Sequence, residues 1–340
     1  MNLFFELLQV SLGTRDILSR VPSDIEWNSI LREAKRHAVI GVLTTGIESL
    51  PMEQRPCKKV LLQWIGLEQI VEKSSILNLK RTKELENLFQ KEGLSVCILK
   101  GISFSRYYPF PLRRQCGDID IWTNGSRDDV MSWLKRKYEI GHRVWHNVGV
   151  DVFVDVPVEV HFHPAWVYHP IHNWHLQKWF KEKFEENRLS NDGISVMPVD
   201  FDVIFSLVHS YRHLLSEGIG LRHIVDYYYI LKNNTNNTGG TKDLLRQFGL
   251  IKYAGAMMWL LSNVLGLSSE FLICEPNEKE GKFLLKEVYA AGNFGLQRRG
   301  ETLNPNSLKR YSVMLQHYPE DVIWMIPWKV WHFIWRRLYL

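Results

Sequence analysis

The sequence predicts an α+β protein in which a small mixed β-sheet lies between an N-terminal and a C-terminal helical region. Apolar residues recur every three to four positions in residues 1–93 and again in residues 199–340, which is the period of amphipathic helices. Between them, residues 94–198 contain short apolar runs and alternating segments that are typical of strands. We therefore predict three regions with these boundaries.

The composition is that of an ordinary globular protein. Of the 340 residues, 45% are hydrophobic and 23% are charged, which is enough for a sizeable core. The net charge of +5 suits a ligand that carries phosphates, but it is too small to favour a nucleic-acid track. The 4 cysteines form no CxxC pair, so we expect reduced thiols and a cytoplasmic protein. We expect neither a secretory signal nor a spanning helix, because no basic run precedes an apolar one and no apolar run approaches ~18 residues.

The N-terminal region is predicted to contain three helices. Their periodic patterns cover residues 1–12, 27–50 and 58–92. Pro51 ends the second helix, and Gly93 can cap the third.

The central region is predicted to alternate between strands and short helices. The predicted strands are residues 95–99, the stretch that holds Asp118 and Asp120, and residues 143–154, 156–163 and 194–197. The predicted helices are residues 103–108 and 126–138, and Ser126 can cap the second. This order indicates a mixed sheet with helices on one face.

The C-terminal region again has the helical period. Helices are predicted over residues 200–215, 221–232, 242–248, 253–265 and 282–291, with two or three short ones in residues 305–340. Residues 233–240 are polar and predict a loop. Residues 166–188, rich in His and Trp, are expected to cover the rim of a site.

The most informative stretch is Cys116–Trp122. Because side chains alternate along a strand, Asp118 and Asp120 point to one face and Ile119 and Ile121 to the other. Two carboxylates on one face repel unless a cation joins them, and Mg²⁺ is commonly held by carboxylates together with substrate phosphates. A lone Asp-x-Asp also occurs in solvated turns, so this pattern needs support from the rest of the chain.

A third carboxylate is available on the predicted strand that follows. Glu159 stands between Val158 and Val160, and His161 shares its face. Glu159 can complete a metal site or take a proton from an acceptor hydroxyl; it also fits a salt-bridged residue of an edge strand. Further histidines at residues 163, 169, 172 and 175 do not favour zinc, because no HExxH motif or cysteine partner accompanies them.

A phosphate-binding element is expected just upstream, at Leu99-Lys100-Gly101. Gly101 lets the backbone approach a triphosphate at the start of a helix, and Ser103 offers a hydroxyl. Lys100 or Arg114 can supply positive charge. The alternatives are a solvated Lys100 and an Arg114 that pairs with Asp118 or Asp120.

Arg222 lies four residues before Asp226 on a predicted helix. This spacing favours a structural ion pair, and the alternative is that Arg222 reaches the nucleotide.

The residues in this order resemble the signature of the nucleotidyltransferase superfamily that has the DNA polymerase beta fold. The resemblance rests on Gly101, then Gly117-Asp118-Ile119-Asp120, then Glu159. A closer resemblance, to an uncharacterised bacterial branch, adds positions across most of the chain: Leu99-Lys100, Tyr108-Pro109, Arg114, Val160-His161, His213, Gly220-Leu221-Arg222, Asp226 and Gly292-Asn293-Phe294-Gly295.

The resemblance implies a polymerase-beta-like core and specific roles. Asp118 and Asp120 would bind two metal ions, and Gly101 would face the triphosphate. Glu159 would complete the catalytic metal site and act as the general base or position it. Ile102 departs from the superfamily, which usually has Gly or Ser at that position.

We therefore expect a nucleotidyltransferase that uses Mg²⁺ or Mn²⁺ to move an NMP from an NTP to an acceptor hydroxyl, releasing pyrophosphate. Lys100, Gly101, Ser103, Arg114, His161 and Arg222 are the residues expected to bind the nucleotide. The acceptor is expected to be a small molecule or a protein side chain. One alternative is a toxin- or antitoxin-type enzyme that modifies protein or tRNA. Another is a catalytically weak nucleotide-binding scaffold.

A tryptophan stripe marks the C-terminal end. Trp324, Trp328, Trp331 and Trp335 share one helical face, although Pro327 is expected to break or start a helix there. Packing of this stripe on the protein's own helices is favoured over binding to a membrane surface.

Overall fold

The computed structural model describes residues 2–234, 240–292 and 308–339. Most of the predicted loop over residues 233–240, the start of the last predicted helical stretch and the motif residues Asn293, Phe294 and Gly295 lie outside this part of the chain. The described helices are α1 (Leu3–Leu12), α2 (Asp24–His37), α3 (Ile40–Ser49), α4 (Lys58–Lys91), α5 (Gly101–Ser105), α6 (Arg127–Lys137), α7 (Pro170–Lys183), α8 (Val199–Ser216), α9 (Leu221–Asn233), α10 (Gly240–Gln247), α11 (Ile251–Asn263), α12 (Glu278–Ala291), α13 (Leu308–His317) and α14 (Pro319–Tyr339).

The strands form one mixed sheet in the order β3-β4-β5-β2-β1-β7-β6. They are β1 (Val96–Leu99), β2 (Ile119–Thr123), β3 (Ile140–Arg143), β4 (Asn147–Val150), β5 (Val158–His161), β6 (Arg188–Leu189) and β7 (Ser195–Val196). β2 runs antiparallel to β1 and parallel to β5, and β4 runs antiparallel to β5. The fold is therefore α+β with a mixed sheet, as the sequence predicts.

Strand alternation divides the side chains of the sheet between two cores. Ile119 and Ile121 enter a smaller core together with Leu85 of α4 and Leu134 of α6. Trp122, on the opposite face, belongs to the larger core and stacks on Phe201 at the start of α8. The sequence predicted helices on one face only; the structure covers both, because aromatic residues of the C-terminal region cover the second face.

The stretch predicted as a single helix over residues 27–50 is two helices. Ala38 adopts a left-handed backbone conformation with φ 56°, which ends α2, and α3 begins at Ile40. Both helices bury apolar residues on the larger core, and this packing outweighs the small cost of a left-handed alanine.

One prediction in the central region is also corrected. Of the single strand predicted over residues 143–154, Arg143 ends β3 and Asn147–Val150 forms β4, and these two strands pair with an irregularity between Ile140 and Arg143. Residues 166–188 contain a regular helix, α7. The Ser126 cap of α6 is confirmed, since its side chain accepts a hydrogen bond from the Asp129 amide.

The C-terminal helix α14 continues through Pro327 instead of breaking there. Trp328 stacks on Trp166 at a centroid distance of 5.4 Å, and Trp331 meets Trp145 edge-on at 5.9 Å. These contacts offset the hydrogen bond that proline removes from the helix. Packing of the stripe on the protein's own helices was the favoured prediction, and binding to a membrane surface stays the alternative.

All four cysteines are free thiols, and three of them are buried. Among the helices of the described residues, none is both long enough and apolar enough to cross a membrane.

Candidate functional site

The pairing of β2 with β5 brings the predicted acidic residues together. Asp120 is the direct register partner of Glu159, and Trp122 is the partner of His161. Because β2 and β5 are parallel neighbours, paired residues point to the same face of the sheet. Asp120, Glu159 and His161 therefore project toward the C-terminal helices, away from the smaller core.

A cavity of about 380 Å³ lies between this face of the sheet and helices α8 and α9. All but one of the residues predicted from the sequence as site residues line it: Lys100, Gly101, Arg114, Asp118, Asp120, Glu159, His161 and Arg222. Ser103 is the exception. It is buried, and its hydroxyl accepts a hydrogen bond from the Arg106 guanidinium.

Asp120 is the centre of the polar contacts in the cavity. Lys100 Nζ and His161 Nε2 each lie 2.8 Å from its Oδ1 atom. His161 Nε2 also lies 3.5 Å from Glu159 Oε2, and the side-chain amide of Asn147 donates to the same Glu159 oxygen. One imidazole therefore links the two carboxylates that the strand register brings side by side.

Asp120, Glu159 and His161 form a group that fits a divalent cation. One ligand atom from each residue lies within 4.8 Å of the other two. Carboxylate oxygens suit Mg²⁺ and Mn²⁺, and an imidazole nitrogen is a common ligand of transition metals such as Mn²⁺. Within the described residues Asp118 is outside this group, although it lines the same cavity just before β2 begins. The sequence predicted Asp118 as a metal ligand and placed His161 among the residues that bind nucleotide.

Neighbouring charges and burial together shift the pKa values of these groups. The charge of Asp120 and then burial raise the pKa of Asp118. Burial, the largest single effect, would lower the pKa of Lys100, but the nearby charges of Asp120, Asp118 and Glu159 together raise it. Burial would likewise raise the pKa of Glu159, but the hydrogen bond and charge of His161 together with the charge of Lys100 lower it. Lys100 thus stays protonated and offsets part of the negative charge.

The turn between β1 and α5 has an unusual backbone. Lys100 and Gly101 both have φ 42°, a region that residues other than glycine rarely adopt. A Cβ atom on Gly101 would lie 3.4 Å from the carbonyl oxygen of Asp118. The next residue, Ile102, packs in the smaller core. Ile102 therefore places a packing side chain away from the cavity.

The arginines have partners that the sequence did not indicate. Arg114 binds Asp226 through two hydrogen bonds of 2.7 and 2.8 Å, in place of the predicted pairing with Asp118 or Asp120. Tyr108 donates to the same Asp226 carboxylate. Arg222 donates to the backbone carbonyl of Gln115 at 3.1 Å.

Several residues that line the cavity were not predicted from the sequence as site residues. Helix α8 contributes His209, Arg212 and His213, and the β4–β5 side of the sheet contributes His146, Asn147 and Trp166. Of these, only His213 was noted in the sequence, as part of the family resemblance. Burial lowers the pKa of His213 to about 4, and its Nδ1 lies 3.1 Å from Glu217. The signal was the three- to four-residue spacing in α8, which sets these polar residues on one helical face.

Comparison with known proteins gives a family match over most of the chain. Residues 23–266 match the model of a family described as "Uncharacterised nucleotidyltransferase". No curated protein matches the chain. A solved structure described as an antigenic nucleotidyltransferase-like protein from Paracoccidioides brasiliensis is similar at 12% identity and a TM-score of 0.31, over 57% of this chain and 93% of that chain. A TM-score this low supports no statement about a shared fold.

Proposed function

Because this chain belongs to the family of uncharacterised nucleotidyltransferases, we propose that it transfers a nucleoside monophosphate from an NTP to an acceptor hydroxyl and releases pyrophosphate. The match over residues 23–266 includes every residue that lines the cavity. The observation that carries the proposal is the side-by-side placement of Asp120 and Glu159, with His161 against both. Adjacent strands that each present a carboxylate also support a polymerase-beta-like core.

Asp120, Glu159 and His161 would hold a divalent ion, Mg²⁺ or Mn²⁺. When bound, such an ion lowers the pKa of a hydroxyl nucleophile and stabilises the charge that develops on the leaving pyrophosphate. Asp118 adds a further carboxylate to the same cavity.

Residues of the chain supply the other requirements of nucleotidyl transfer. Lys100, which binds Asp120 Oδ1, offers the positive charge that a triphosphate needs. Gly101 allows the backbone to approach a phosphate without a side chain in the way. Glu159 accepts the proton of the acceptor hydroxyl, and the side-chain amide of Asn147 orients its carboxylate.

A small-molecule acceptor fits this cavity better than a macromolecule. The cavity of about 380 Å³ lies within the size range of small-molecule sites, and the sheet and two helices line it. Ile102 packs in the smaller core and does not line the cavity, so this residue does not support the alternative of a catalytically weak scaffold.

The experiment is a pyrophosphate-release assay with each of the four common NTPs, Mg²⁺ and a panel of small hydroxyl compounds. Asp120→Asn and Glu159→Gln should each lower turnover by about 100-fold or more, because each removes a metal-binding or proton-accepting carboxylate. The matched control is Asp243→Asn on the exposed end of α10, which should leave turnover unchanged. Thermal denaturation verifies that each variant is folded.

Turnover that survives both cavity substitutions contradicts the proposal. Binding of an NTP by the wild-type protein without any pyrophosphate release would indicate a scaffold instead.

A further inference from the structure

Arg212 is a cavity residue whose charge lacks a carboxylate partner. Its guanidinium carbon lies 4.2 Å from the centroid of the Trp166 ring, and one of its terminal nitrogens lies 3.2 Å from His213 Nε2. Across the described part of the chain, no carboxylate oxygen comes within 4.0 Å of its guanidinium. Lys100 and Arg114, by contrast, each bind an aspartate directly. Arg212 is therefore a cavity cation that can bind an added anion without giving up a carboxylate.

Polar atoms beside Arg212 also lack partners. Arg212 Nε, Trp166 Nε1 and His146 Nδ1 are buried and make no hydrogen bond within the described residues. Trp166 contacts both of the other side chains: the His146 ring lies 3.9 Å from its ring between centroids, and the Arg212 guanidinium lies over it. Buried polar atoms in proteins are nearly always hydrogen-bonded, so three adjacent exceptions on a cavity wall indicate a place where a ligand's acceptor atoms bind.

The strand order places this cluster on the opposite flank of the carboxylates from Lys100. β1, which ends next to Lys100, lies on one side of β2, whereas β5 and β4 lie on the other. His146 precedes β4, and Trp166 follows β5. Because neighbouring strands are ~4.8 Å apart, β1 and β4 are separated by about 14 Å. The charges that act on Arg212 include those of Glu159 and Asp120.

We infer that Arg212, Trp166 and His146 bind an anionic group of the acceptor, so that the acceptor is a small hydroxyl compound bearing a phosphate or a carboxylate. This inference rests on the proposed function. The triphosphate binds on the Lys100 and Gly101 flank, and the acceptor binds on the Glu159 flank. The acceptor oxygen forms a bond to the α-phosphorus and the bond from that phosphorus to the bridging oxygen breaks. The hydroxyl proton passes to Glu159, and pyrophosphate leaves.

The test is a calorimetric titration of the protein with inorganic phosphate in the presence of Mg²⁺ and saturating α,β-methylene-ATP. Arg212→Gln should weaken phosphate binding by about tenfold or more, because a charge-assisted hydrogen bond is lost. Arg212→Lys keeps the charge and should bind phosphate more tightly than Arg212→Gln. Arg246→Gln, an exposed arginine of α10 that pairs with Asp243, is the matched control and should behave as wild type.

A second variant covers the case in which Arg212→Gln fails to fold. Trp166→Phe removes the indole N–H and keeps a ring for stacking, so it should weaken phosphate binding by about threefold.

The outcomes separate this inference from the function it rests on. Equal phosphate affinity in wild type, Arg212→Gln and Trp166→Phe would overturn the inference. Loss of α,β-methylene-ATP binding in Arg212→Gln to the same extent as phosphate binding would also overturn it, because Arg212 would then serve the nucleotide. If the wild-type protein binds phosphate through Arg212 but does not bind the ATP analogue, the proposed function fails and the acceptor assignment fails with it.

Discussion

Arg114 and Asp226 form a buried, two-pronged ion pair that joins the loop ahead of β2 to helix α9. Their two hydrogen bonds measure 2.7 and 2.8 Å, and Tyr108 donates a third to the same carboxylate. The pair lies on the cavity wall, so it fixes the position of the C-terminal helices relative to the strand that carries Asp120.

The first prediction concerns this pair. Asp226→Asn should lower the free energy of unfolding by about 3 kcal/mol, because it leaves the buried Arg114 charge uncompensated. Urea denaturation measures the change. The control is Asp243→Asn, which disrupts the exposed ion pair with Arg246. It should lower the free energy of unfolding by less than about 1 kcal/mol. Similar costs for the two variants would show that the buried pair does not hold the helices in place.

The second prediction concerns Lys100, which lies 2.8 Å from the Asp120 oxygen that would bind a metal ion. Lys100→Met should increase the affinity of the nucleotide-free protein for Mn²⁺ by about tenfold, because a competing positive charge is removed. Calorimetric titration with MnCl₂ measures it. Lys137→Met, which removes an exposed partner of Glu92, should leave the affinity unchanged. A weaker affinity in Lys100→Met would mean that Lys100 positions Asp120 for the metal.

The third prediction separates Asp118 from the residues that would ligate the metal ion. Glu159→Gln should weaken Mn²⁺ binding by about tenfold or more, since Glu159 belongs to the group of ligand atoms within 4.8 Å. Asp118→Asn should weaken Mn²⁺ binding less than Glu159→Gln does, because Asp118 lies outside that group and contributes charge to the cavity but no ligand atom. The same calorimetric titration compares them. Equal losses of Mn²⁺ affinity in the two variants would support the ligand set that the sequence predicted, which includes Asp118.

The fourth prediction concerns the backbone at Gly101. Gly101→Ala should destabilise the protein by about 1 kcal/mol, because φ 42° is unfavourable for a residue with a Cβ atom. Pyrophosphate release should fall as well, since the turn faces the cavity. Gly66→Ala is the matched control. Gly66 lies in α4 with no atom within 4 Å of an added Cβ, so alanine should stabilise the helix by about 0.5–1 kcal/mol. Chemical denaturation that gives both variants the same sign would contradict this prediction.

The fifth prediction concerns stability and pH. Burial raises the pKa of Glu86 from 4.5 to about 7, and its carboxyl accepts a hydrogen bond from the Ser195 amide. The folded state therefore binds a proton that the unfolded state releases, so stability falls as the pH rises from 4.5 to about 7.

Glu86→Gln stays neutral throughout that range. Relative to wild type it should gain on the order of 2–3 kcal/mol in unfolding free energy between pH 4.5 and pH 8. Urea denaturation at several pH values measures this gain. Glu182→Gln on the exposed side of α7 should show no such pH-dependent gain. A parallel pH profile for wild type and Glu86→Gln would contradict the assignment.

Local sequence patterns were enough to predict most helices and the position of the acidic strands. Ile119 and Ile121 alternate with Asp120, and this period of two correctly placed the isoleucines in a core and the aspartate on the other face. Breaks that depend on tertiary packing were missed. The left-handed Ala38 divides a stretch of helical period, and Pro327 sits inside a helix that aromatic contacts stabilise.

The sequence by itself determined the α+β class, the carboxylates at Asp120 and Glu159 and the resemblance to nucleotidyltransferases, because these depend on residue type and on the period of a strand. Only the tertiary structure decided which side chains meet. The parallel register of β2 and β5 brings His161 next to Asp120. The packing of α9 places Asp226 within hydrogen-bonding distance of Arg114, and the packing of α8 places the Arg212 guanidinium over the Trp166 ring. Such contacts join residues that are far apart in the chain, and no local pattern encodes the distance between them.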